Sequence, residues 1–228
     1  MVTDGALPHT ILAPEQAETA KTGAEVDSDA LLQASRRVDW RFLLPDPDLG
    51  RVAYIGSARG TLVESLTLFS TSLTLIERGA RLDAGVDPGR YDIVVVSDPT
   101  IATLRRAAAL LRSGGWLYVE AYSPFSRPRR LSRSEPLHFV RDYVTVLHRL
   151  GLVEVEAYWH WPNFEACTKI IPLDKHPALL QVLAPRRTGV RLKALLGRWL
   201  VRSGVLALVI PCFSIVAHSC ANREAKVA

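Results

Sequence analysis

The stretch YDIVVVSD, residues 91 to 98, constrains the fold more than any other part of the chain. A β-branched run without polar alternation is a strand covered on both faces, and such strands belong to parallel sheets flanked by helices. Parallel neighbours need crossover connections, so helical patterns should separate the strands. RVAYIG (51–56) and SLTLIE (72–77) read as strands around a helical TLVESLTLF (61–69). TIATLRRAAALLR (100–112) sets Leu104, Ala107, Ala108 and Leu111 on one helical face, and SGG ends that helix before the strand WLYVEA (116–121). A helix over about 137–150, stopped by Gly151, precedes the strand VEVEAYWH (153–160), and CFSIVAHS (212–219) is the last strand. Upstream, a short helix over 29–38 has Asp29 as its cap and Leu31, Leu32 and Val38 facing inward, while Trp40 and Phe42 form a lid over the sheet edge.

These units fill one domain. Residues 1–28 mix Thr, Ala, Glu, Gly and Pro without a period and read as a flexible arm; 29–222 form the domain, with a helical insertion at about 175–210, and 223–228 a tail. With 48% hydrophobic residues the chain can bury a core, which excludes wholesale disorder. The net charge of +5 is unevenly placed: SRPRRLSR (126–133) and PRRTGVRLKALLGRWLVR (185–202) concentrate arginine. Such clusters attract phosphate or carboxylate groups on a substrate and anionic membrane surfaces. Residues 203–222 carry no formal charge, but Gly204, Pro211 and His218 make them a poor membrane span. A cytoplasmic protein with peripheral membrane contact through 185–210 is the expectation. Cys167, Cys212 and Cys220 lack the spacing of a disulfide framework or a zinc site, and no metal is expected.

In open α/β sheets, ligands lie beyond the carboxyl ends of the strands. That rule singles out Gly56 to Gly60, Glu77, Asp98, Tyr122 and His160. Gly56 and Gly60 let the backbone turn sharply into the following helix, whose first amides can meet a carboxylate. Asp98 either faces a ligand or caps the helix that starts near Thr100. His160 stands between Trp159 and Trp161 at a strand end, where an ordinary pKa near 6.5 suits a general base. Asn163, Phe164 and Glu165 continue the same loop.

The order of these pieces resembles that of the class I S-adenosylmethionine (SAM) dependent methyltransferases. The glycine turn after the first strand, Glu77 at the end of the second, the YDIVVVSD strand and the LLRSGGWLYVEA segment carry the likeness, over roughly residues 50 to 220. It implies a Rossmann-like α/β sandwich with a mainly parallel sheet and an antiparallel C-terminal strand. SAM is the implied cofactor, held by Gly56, Ser57, Gly60 and Glu77, with Glu77 on the ribose hydroxyls and Asp83 toward the adenine. On the rim that the strand ends share, His160 and Asp98 are the candidate catalytic residues, and Tyr122, Trp161 and Asn163 the candidate contacts to a small molecule, natural product or glycan intermediate. Three departures stand out: Tyr54 replaces the family's acid, Ala58 replaces a glycine, and the segment between Glu77 and Tyr91 is short for a third strand with its helix. They keep open a methyltransferase-like binding subunit without transfer activity, working in a homodimer or with a protein partner, and a repurposed cyclase. SDPT (97–100) is not the motif used on base amines, so a nucleic-acid substrate is not expected.

Overall fold

The computed structural model describes residues 28–77, 88–123, 126, 137, 139–183, 199, 206 and 210–220. The N-terminal arm, Asp83, the C-terminal tail and most of both arginine clusters lie outside the described residues. In chain order the elements are α1 (Ser28–Arg37), a 3-10 turn (Asp39–Leu43), β1 (Arg51–Gly56), α2 (Thr61–Phe69), β2 (Ser72–Glu77), β3 (Tyr91–Ser97), α3 (Ile101–Leu110) and β4 (Leu111–Tyr122). Then come α4 (Val140–Arg149), β5 (Leu152–Trp161), β6 (Lys169–Pro172), α5 (His176–Leu183) and β7 (Cys212–Ser219).

The described strands form one sheet in the order β2-β1-β3-β4-β7-β5-β6. β2, β1, β3 and β4 are parallel, β7 enters antiparallel between β4 and β5, and β6 pairs antiparallel with β5. This is the Rossmann-like α/β arrangement expected from the sequence, including its antiparallel C-terminal strand. The apolar run of β3 explains its central place: Val94 and Val96 enter one core with Leu104, Ala107 and Leu147, while Ile93 and Val95 enter the other with Trp40, Leu62 and Leu66. Helices α3 and α4 cover the first face; α1, the 3-10 turn and α2 cover the second.

Three local expectations need correction, and one strand was not anticipated. Helix α3 stops at Leu110, and SGG lies inside β4, where pairing jumps from Tyr91↔Leu111 to Ile93↔Trp116. The bulge needs glycine at position 115, since a Cβ there would stand 3.0 Å from the carbonyl oxygens of Arg112 and Tyr91. Trp40 is no lid over an edge: its ring stacks on Tyr118 of the central β4, centroids 3.8 Å apart, and Phe42 alone is exposed. Leu31 and Leu32 face solvent, and α1 is buried instead through its last residue, Arg37, with Val38 beside it. The four residues of β6 are too few for a readable period, and that edge strand had no signal.

Candidate functional site

A band of polar side chains crosses the α1/α2 face at the carboxyl ends of the parallel strands. Strand alternation and register produce it. Gly56 pairs with Glu77, Ser97 with Glu120, and Glu120 with Ser214. Side chains then link the rows: Tyr54 Oη to Ser97 Oγ at 3.3 Å, and His160 Nε2 to Ser214 Oγ at 2.8 Å. Expected and unexpected residues are gathered here together.

The centre of the band is an ion pair that sequence reasoning missed. Arg37 Nη1 and Nη2 donate to the two carboxylate oxygens of Glu120 at 2.6 and 2.7 Å, and both side chains are buried. Burial works against the guanidinium's charge, but Glu120 more than offsets it and holds the Arg37 pKa above its usual value. Tyr118 also reaches Glu120, at 3.3 Å, and its pKa is pushed well up by burial and by that carboxylate. The available signal was an acid, Glu120, placed inside an otherwise apolar strand.

Phe164 closes the band from the β5–β6 loop. Its buried ring stands edge-on to Tyr122 at 5.3 Å, tilted to His160 at 4.7 Å, and 5.6 Å below the Arg37 guanidinium. Asp98, at φ 48° and largely buried, accepts from the Tyr122 amide at 3.3 Å, while its own amide donates to the Glu120 carbonyl at 2.7 Å. Capping α3 falls to Thr100, whose hydroxyl accepts from the Thr103 amide at 3.1 Å, so the capping role considered for Asp98 is not the one observed. Trp161 is exposed and packs edge-on against Trp159, and Asn163 is exposed with its Oδ1 accepting from the Ala166 amide at 2.8 Å.

His160 differs from a base poised near neutrality. Burial, then the nearby Arg37 charge, lowers its pKa to about 3. The ring is therefore neutral at ordinary pH and bonded to Ser214. An unfolded chain would bind a proton at the usual 6.5 while the native state does not, so native stability is full above that value and is lost as pH falls toward about 3. The expected loss between pH 7 and pH 5 is about 2 kcal/mol from this residue. Urea unfolding of the wild type and of His160→Gln at both pH values checks it: the variant should lose that much less, and equal losses would place the acid sensitivity elsewhere.

The glycine turn lies beside the band. Gly60, at φ 130°, precedes α2 in a conformation that side-chain-bearing residues rarely adopt, and a Cβ built there would meet nothing within 4 Å. No described side chain caps α2; the Val63 and Glu64 amides donate back to the Gly60 carbonyl at 3.0 and 3.3 Å, and the Thr61 and Leu62 amides lie at the exposed end of the turn. Ser57 is exposed and its hydroxyl accepts from the Arg59 amide at 3.4 Å; Glu77 is exposed at the end of β2. Gly56 has a different reason to be glycine, because a Cβ there would collide with the Tyr54 phenol. Crowding beneath the turn comes from Tyr54, and Ala58, the residue in place of the family's glycine, is exposed.

No family model and no curated protein sequence matches the chain. Solved structures do. A SAM-dependent methyltransferase from Archaeoglobus fulgidus is 14% identical, with a TM-score of 0.46, over 90% of this chain and 99% of that one. Phosphoethanolamine N-methyltransferase 2 of Haemonchus contortus, in complex with phosphomonomethylethanolamine and S-adenosylhomocysteine, is 15% identical, with a TM-score of 0.45, over 85% of this chain. The chain spans about half of that enzyme, 53% of its length. Geranyl diphosphate C-methyltransferase from Streptomyces coelicolor is 14% identical, with a TM-score of 0.40, over 87% and 85% of the two chains. With likeness at this level, the fold assignment rests on the sheet order itself. Among the described residues no helix is long and apolar enough to cross a membrane.

Proposed function

We propose that this chain is a methyltransferase that binds SAM at Gly56, Ser57, Gly60 and Glu77 and acts on a small molecule. The observation that carries the reading is the register pair Gly56↔Glu77, which sets an exposed carboxylate beside an open glycine turn at the start of an uncapped helix. A carboxylate at a strand end can accept from both hydroxyls of a ribose, and uncapped amides favour an anionic group. The open space at Gly60 fits such a ligand. SAM, when bound, supplies an electrophilic methyl group on a sulfonium. The chain's own part is to orient: Glu77 holds the nucleoside, and Asp98 and Tyr122 form the adjoining wall toward the acceptor. The basic stretch around residues 126–133 favours an acceptor carrying phosphate or carboxylate.

A second reading, a ligand-binding subunit without transfer, is favoured by two observations. Phe164 and the Arg37–Glu120 pair fill the band next to the turn, and His160 has too low a pKa to take a proton near neutrality.

Calorimetric titration with S-adenosylhomocysteine tests the shared part of both readings. Glu77→Ala should weaken binding by about 1.5–3 kcal/mol, the range for hydrogen bonds to a charged group. Undiminished binding would move the nucleoside away from β2. Transfer of labelled methyl from SAM to small anionic acceptors then separates the two readings.

A further inference from the structure

Glu165 occupies a place that none of the roles above requires. Its Oε2 accepts from the Thr61 hydroxyl at 2.6 Å, joining the β5–β6 loop to the first residue of α2 across 104 positions of sequence. Its other oxygen lies 3.7 Å from Arg37 Nε. That nitrogen is buried and has no hydrogen-bond partner among the described residues, because the bidentate pair with Glu120 uses only Nη1 and Nη2. The hydroxyl of the first α2 residue and an unsatisfied guanidinium N–H thus lie against one carboxylate, as they would against an anionic ligand. Phe164 is buried and anchors the loop, so its backbone is held, whereas the Glu165 side chain is 59% exposed and free to turn away.

From this geometry we infer that Glu165 is an internal carboxylate that competes with the amino-acid carboxylate of the ligand for the start of α2. This rests on the proposed SAM-type ligand and adds a regulation of the same site: the chain holds its own anion on the turn, and a ligand bearing a carboxylate must displace it. Ligands that lack the carboxylate do not meet the competition. The chemistry is exchange of one carboxylate for another on Thr61 and Arg37, with no bond made or broken.

Calorimetry with two nucleosides tests it on the wild type, Glu165→Ala and Glu165→Gln. S-adenosylhomocysteine carries the amino-acid carboxylate, and 5′-methylthioadenosine does not. If Glu165 holds the site about nine-tenths of the time, its removal should tighten S-adenosylhomocysteine about tenfold and leave 5′-methylthioadenosine within about twofold. Glu165→Gln keeps the shape without the charge and should shift affinity in the same direction. Unchanged or weaker S-adenosylhomocysteine binding in both variants would overturn the inference while leaving the proposed function standing. Equal tightening of both nucleosides would also overturn it, by showing that Glu165 obstructs the nucleoside rather than the carboxylate. Absence of binding by either compound to all three proteins would remove the proposed function and this inference together.

Discussion

Replacing Arg37 with methionine is expected to destabilise the protein by about 3–5 kcal/mol, the cost of leaving a buried carboxylate without its counter-charge. Glu120 is buried and takes both guanidinium N–H groups of Arg37, so its remaining partner would be the Tyr118 hydroxyl at 3.3 Å. The mechanism makes a second, stricter statement. In Arg37→Met/Glu120→Leu neither charge remains, and apolar side chains of similar volume replace them. Because the mutual attraction of a buried pair is largely cancelled by desolvation, the double variant should recover most of the lost stability. Urea unfolding of the two variants measures both numbers. A double variant no better than the single one would show that packing, rather than the orphaned carboxylate, sets the cost.

Trp40→Ala should be comparably damaging, about 3–5 kcal/mol. The indole is almost wholly buried and lies parallel to the Tyr118 ring at 3.8 Å, with an interplanar angle of 10°. Truncation opens a cavity between the 3-10 turn and the centre of the sheet, and it removes a stacked pair worth about 0.5–1.5 kcal/mol on its own. Trp40 Nε1 is buried without a hydrogen-bond partner among the described residues. Trp40→Phe therefore removes an unsatisfied donor along with some volume, and it should cost clearly less than the alanine variant. Thermal unfolding ranks the three proteins. A phenylalanine variant as unstable as the alanine one would mean that the indole N–H is satisfied in solution.

The scaffold was legible because its signals are local. The unbroken apolar run of β3 required cover on both faces, and CFSIVAHS carried its own strand signal, matching Cys212–Ser219 end to end. The glycine turn and Glu77 were legible for the same reason, each being marked within a few residues. The polar band was not, since its bonds join residues far apart: Arg37 to Glu120 across 83 positions, Thr61 to Glu165 across 104 and His160 to Ser214 across 54. No pattern in a window reveals such partners. His160 shows what this costs: its residue type pointed to titration near neutrality, but burial beside Arg37 decides its proton affinity. Tyr54 is an intermediate case. Its place two residues before Gly56 puts both on one face of β1, which explains why the ring lies under the glycine. That it would reach Ser97 on the next strand could not be read locally.

Amide hydrogen exchange with and without S-adenosylhomocysteine tests the central claim most directly, because it reports where on the chain the nucleoside sits. The account predicts slower exchange in peptides covering residues 56–64 and 72–77, the glycine turn, the start of α2 and the strand that ends in Glu77. Protection confined to the groove between α3 and α4, lined by Ile101, Arg141 and Arg149, or no protection anywhere, would contradict it.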